Sequence, residues 1–103
     1  WCKPCVDEIP SLSRLNRLYN ANDFAILTVN TGESSQRVKK FIEPFDINFA
    51  ILLDENGKAV RDWRVYAFPS NFLIDKNGVI RYGYRGALEW DSKEVLEIIE
   101  TLL

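Results

Sequence analysis

From the second cysteine onward, apolar residues recur every three or four positions. Val6, Ile9, Leu12, Leu15, Leu18 and Tyr19 keep the 3.6-residue period, so an amphipathic helix is predicted from about Pro4 to Asn20. The pattern then changes. Phe24-Ala25-Ile26-Leu27-Thr28-Val29-Asn30 is an almost continuous apolar run ended by Thr31-Gly32, which predicts a strand buried on both faces and hence a parallel sheet. Ser34 or Ser35 caps a second helix carrying Val38, Phe41 and Ile42, and Pro44 stops it. Phe49 to Leu53 reads as a short strand closed by the turn Asp54-Glu55-Asn56-Gly57. A short helix over Lys58 to Trp63 would turn Val60 and Trp63 inward.

Two further strand-like runs, Ser70 to Asp75 and Val79 to Tyr84, are joined by Lys76-Asn77-Gly78. Asn-Gly there favours a hairpin because both residues tolerate positive φ. The last helix opens on Asp91-Ser92-Lys93-Glu94, a capping box with Asp91 as the cap, and presents Val95, Leu96, Ile98, Ile99 and Leu102 on one face. This order of helices and strands predicts an α/β class, with a mixed sheet flanked by helices and one domain over residues 1–103. No repeat, low-complexity tract or linker interrupts it.

Composition narrows the chemistry. With 47% hydrophobic and 13% aromatic residues in 103, the chain can fill a single core. No run of eighteen apolar residues offers a membrane-spanning helix. A net charge of -2, with no basic cluster beyond Lys39-Lys40, leaves no electrostatic footprint for nucleic acid. The absence of His removes Ser-His-Asp and Cys-His catalysis together with the commonest transition-metal ligand. Cysteine and carboxylate chemistry remain. There is no Met either, so Trp1 is not a translation start, and a longer parent chain is expected.

The two cysteines stand as Trp1-Cys2-Lys3-Pro4-Cys5 at the start of the first helix. A thiolate there is stabilised by free backbone N–H groups and the helix dipole, and the two-residue spacer brings the second sulfur within bonding reach. Such placement lowers a cysteine pKa from ~8.5 to roughly 3.5 to 7.5. Cys2, nearer the helix start, is the candidate nucleophile, Cys5 the resolving thiol, and Lys3 adds a modest positive charge. The competing readings are weaker. Two cysteines without His cannot complete a structural zinc site, and Val6 stands where a haem-attachment motif needs His. A purely structural disulfide across so short a loop would restrain little of the unfolded chain. No metal or prosthetic group is called for.

Trp1-Cys2-Lys3-Pro4-Cys5 resembles the signature of the thioredoxin superfamily. Its surroundings resemble the TlpA/ResA branch of extracytoplasmic thiol-disulfide oxidoreductases: Glu8-Ile9-Pro10, Val29-Asn30-Thr31-Gly32-Glu33-Ser34, Phe49-Ala50-Ile51-Leu52-Leu53-Asp54, and the run from Phe68-Pro69-Ser70-Asn71 to Gly78. The resemblance implies a thioredoxin-like fold in which a central strand precedes the redox motif. That strand is expected upstream of Trp1, between the Ala25 to Val29 strand and the Asn71 to Ile74 strand. It implies a cis peptide bond at Pro69 opposite the sulfurs, with the preceding backbone free to pair with a client strand. Trp1, Pro4, Phe68 and Pro69 become client-binding candidates; Phe68 is bulkier than the residue usual before that proline and bears on substrate preference.

Glu8 matches an acidic residue that lies near the sulfurs and relays protons or tunes a thiol pKa; without that resemblance it reads as a solvated helix-face glutamate beside Asp7. Glu33 reads as a helix-start residue, and Trp63, Trp90 and the phenylalanines as core or surface aromatics. The implied activity is protein disulfide reduction in an extracytoplasmic compartment, with cytochrome c maturation as one setting. The implied partners are a disulfide-containing client protein and a membrane thiol donor, and the implied tether is an N-terminal anchor. A thiol peroxidase, a cytosolic thioredoxin-like reductase and a non-enzymatic redox-switched interaction domain are the alternatives.

Overall fold

The computed structural model describes residues 2–103, and its elements follow in the order α1 (Lys3–Leu18), β1 (Leu27–Thr31), α2 (Ser35–Ile42), β2 (Ala50–Asp54), α3 (Lys58–Asp62), β3 (Ser70–Ile74), β4 (Ile80–Arg85) and α4 (Lys93–Glu100). Every predicted element is present. Both kinds of strand pairing occur, distributed over two two-stranded sheets: β1 with β2 in parallel through α2, and β3 with β4 antiparallel.

The helices start where side chains can satisfy their first amides. Ser34 Oγ accepts from Arg37 N at the head of α2. At α4 the cap is Ser92, which accepts from Val95 N, rather than the expected Asp91. Asp91 is engaged elsewhere, taking the Arg14 guanidinium at 2.6 Å, and that bond holds its carboxyl below the usual range. A hydroxyl one residue later was free to cap. In the β3–β4 turn only Gly78, at φ 82°, takes a left-handed conformation, while Asn77 keeps negative φ. Asp75 organises that turn by accepting from the Asn77 and Val79 amides.

Leu15 of α1, Val95 and Ile99 of α4, and Trp90 form the buried cluster, with Leu12, Tyr19, Phe24, Leu73 and Leu88 packed on it. At roughly 1.5 to 3 kcal/mol for each large apolar side chain buried, this cluster joins α1 to α4 and to the β3–β4 hairpin. Polar ties fix the other flank of α1. Ser13 Oγ donates to the Asp46 carbonyl at 2.7 Å, Asn16 Nδ2 to the Asn48 carbonyl at 2.8 Å, and Asn48 Nδ2 back to Ser13 O at 3.1 Å.

Two expectations about burial are corrected. The strand at 24–30 was expected to be buried on both faces, yet β1 begins at Leu27, and Leu27 and Val29 are 66% and 51% exposed. An apolar run reports what a strand can bury, whereas burial needs a covering neighbour; among the described residues β1 pairs with β2 alone. Trp63, expected inward, is exposed on one side and packs on Phe72 with ring centroids 5.1 Å apart.

Candidate active site

Cys2 is the N-cap of α1. Its extended backbone turns the sulfur back over the helix end, where Cys5 N donates to Cys2 Sγ at 3.3 Å. The two sulfurs are joined in a disulfide with the Cα atoms 5.3 Å apart. Pro4 sits in the first turn, where a missing N–H costs no helical hydrogen bond. The sulfur of Cys2 therefore lies where an N-terminal helix amide and the positive end of the dipole would favour a thiolate.

A cleft of about 120 Å³ opens beside the disulfide. Cys2, Cys5 and Val6 form one wall, and Val29, Phe41 and Phe68 close it with apolar surface. Thr31 and Glu33 supply its polar edge. The Phe68–Pro69 bond is cis, as the resemblance implies, and Phe68 places this segment on the same cleft as both cysteines. Pro69 is buried, and its carbonyl accepts from Gly86 N at 2.8 Å. Trp1 lies outside the described residues.

Glu33 is a residue the sequence reading assigned to the helix start alone. It does precede the Ser34 cap, but it also faces the cleft, held by Arg37 at 2.9 Å and by Asn30 Nδ2 at 3.0 Å. Phe41 and Val29 were read as core positions of their elements, and they too line the cleft. The signal available was the run Val29 to Ser34, noted for its resemblance but not for which side chains it turns toward the sulfurs.

Glu8 is neither solvated nor on the cleft. At 3% exposure it is buried, and Oε1 accepts from Trp90 Nε1 at 2.9 Å, Asn71 Nδ2 at 3.1 Å and Leu88 N at 3.2 Å. Burial raises its pKa above the ordinary 4.5, and the three hydrogen bonds oppose that rise without cancelling it. The folded chain thus keeps the Glu8 proton to higher pH than the unfolded chain does. The stability linked to Glu8 is complete below pH 4.5 and is lost as pH rises through the folded pKa. Glu8→Gln is expected to abolish that fall while keeping an oxygen for the three donors. Denaturant midpoints measured against pH check this, and an identical slope in both proteins would refute it.

Comparison with known proteins places these features in company. The sequence profile of the AhpC/TSA family matches residues 1–83. Thiol-disulfide oxidoreductase ResA of Geobacillus thermodenitrificans is 38% identical over 97% of this chain and 58% of its own length. The chain spans a little over half the length of the curated relatives it matches. Among solved structures, a thiol:disulfide interchange protein DsbE from Chlorobium tepidum superposes with a TM-score of 0.89 at 26% identity, over 99% of this chain and 72% of that one. The exposed lipoprotein thioredoxin of Streptococcus pneumoniae strain TIGR4 does so with 0.81 at 25%, over 99% and 78%.

Proposed function

The chain belongs to the AhpC/TSA family, and from that membership and the disulfide at the head of α1 we propose that it is a thiol-disulfide oxidoreductase that reduces disulfides in client proteins. The reduced Cys2 thiolate attacks one sulfur of a client disulfide, forming a mixed disulfide and releasing the other client sulfur as a thiolate. Cys5 then attacks Cys2 Sγ, the client leaves with its second thiolate, and the chain holds the Cys2–Cys5 disulfide. Two electrons pass from chain to client. An external dithiol returns them in the same two steps run backward.

The single observation that carries this reading is the Cys2 sulfur at the helix N-cap, bonded to Cys5 and open to a cleft that also holds Phe68. Phe68, Phe41 and Val29 suit an apolar residue beside the client cysteine. In this reading a client strand would lie along the Phe68-Pro69 segment and Pro4, the neighbour of Cys5 in the first turn of α1, with Trp1 a further candidate from the sequence. An extracytoplasmic site fits this reading, supported by the likeness to an exposed lipoprotein thioredoxin and to ResA. A membrane anchor, a membrane thiol donor and work in cytochrome c maturation extend it.

The test is reduction of insulin disulfides by the protein under a constant dithiol supply, set beside consumption of hydrogen peroxide. Insulin reduction well above the dithiol alone is expected, with no peroxide turnover. Peroxide turnover without insulin reduction would overturn the reading in favour of a thiol peroxidase.

A further inference from the structure

The buried carboxyl of Glu8 ties together three segments that the exchange chemistry needs in register. Glu8 stands three residues after Cys5, so the two are neighbours on one face of α1, with Cβ atoms about 5 to 6 Å apart. Asn71, one of its donors, is the second residue of β3 and stands two places beyond Pro69. Leu88 N and the Trp90 indole come from the segment leading into α4. Ser11, fully buried, reinforces the junction one helical turn further on, accepting from Trp90 N at 3.0 Å and donating to the Glu8 carbonyl at 3.0 Å. One carboxylate oxygen therefore links the helix that carries both sulfurs to the strand that follows the cis proline.

We propose that Trp90 and Asn71 are positioning residues for thiol-disulfide exchange, fixing the Glu8 carboxyl one helical turn beyond Cys5 and holding the sulfur-bearing helix against the strand of Pro69. The proposal rests on the exchange reading above. Trp90 is the stronger of the two. It is 5% exposed, its ring belongs to the buried cluster, and its N–H makes the shortest of the three bonds. Its donor favours the ionised carboxyl, against the burial that disfavours it.

Among the described residues, the other charges on the elements around this junction are paired, and Glu33, which lines the same cleft as Cys5, is held by Arg37 at 2.9 Å. On α1, Asp7 pairs with Lys3 at 2.9 Å. In the segment before α4, Glu89 and Asp91 both pair with Arg14. Strand β3 carries no charged residue, and Arg85, opposite Ser70 on β4, lies over the Tyr66 ring. Cys5, once reduced, is the titratable group on the same face of the helix. A carboxylate held near it raises the pH at which its thiolate forms, and a neutral or displaced carboxyl lowers it.

Trp90→Phe keeps the ring in the core and removes the N–H. Its Glu8 titration, read from the carboxyl carbon signal by NMR, is expected to move up by about one pH unit, the scale of one lost hydrogen bond to a charged group. The pH profile for release of a client from its mixed disulfide should shift the opposite way, to lower pH, because the neutral carboxyl lets the Cys5 thiolate form more readily. Asn71→Ser, at a half-buried strand position, should shift each readout in the sense that Trp90→Phe does but by less, and serves where the core variant fails to fold. If wild type reduces insulin and both midpoints stay put in the folded variants, the positioning role is overturned while the exchange reading stands. If wild type exchanges no disulfides, both fall.

Discussion

Cys2→Ser is expected to abolish exchange, a loss of roughly 10³-fold or more, because a hydroxyl at this position has neither the acidity nor the softness to attack a disulfide. Cys5→Ser is expected to stop the reaction halfway, with client covalently attached to Cys2 and no second step. The asymmetry follows from the helix end. The Cys2 sulfur caps α1 and takes the Cys5 amide, while Cys5 lies within the first turn. After reduction, iodoacetamide at neutral pH should therefore label Cys2 well before Cys5. Non-reducing gels and mass spectrometry of trapped client check the pair of variants. Equal labelling of the two thiols would reverse or dissolve the division of roles, and full exchange by Cys2→Ser would leave the pair as a conformational switch alone.

Much of this site was legible in the sequence because its chemistry is local. A cysteine at a helix start, a resolving cysteine three residues later and a proline in the first turn all act within one turn of chain. Periodicity and capping residues locate that turn. The residues that sequence reading misplaced act across space instead. Glu8 was set near the sulfurs by resemblance alone, because helical spacing gives no hint that Trp90, 82 residues away, supplies an indole N–H to it. Trp90, read as a core or surface aromatic, does lie in the core, but its indole partner was out of reach for the same reason. Asp91 was taken for a cap because its partner, Arg14, is 77 residues distant. Glu33 and Phe41 gain their place on the cleft only when β1 and α2 are laid beside the cysteine helix. The apolar run at 24–30 does yield a strand, though only from Leu27 onward, and its burial depends on covering neighbours that its own residues do not encode.

That exposed strand leads to the second large effect: the 103 residues on their own are expected to be marginally stable and prone to self-association. A chain of 11.9 kDa exposes 7282 Å² here, whereas folded monomers of that mass expose roughly 5,900 Å², about a fifth less. Were only a third of the excess apolar, at roughly 25 cal/mol per Å² it would match the entire net stability of a domain, about 5 to 15 kcal/mol. The location of the surface matters as much as its extent. Val29 on β1, Leu52 on β2, Ile74 on β3 and Tyr82 on β4 are all close to half exposed. Each belongs to a two-stranded sheet with open ladder edges. Two-stranded sheets are marginal in water, and apolar edges pair readily with other chains. The expected behaviour is a broad, concentration-dependent melt, light scattering that grows with protein concentration, and little amide protection over 27–31 and 70–74. A monomer that unfolds in one cooperative transition of more than about 5 kcal/mol, with the amides of Val29 and Phe72 strongly protected, would show that the packing of α1 and α4 alone suffices to hold both sheets.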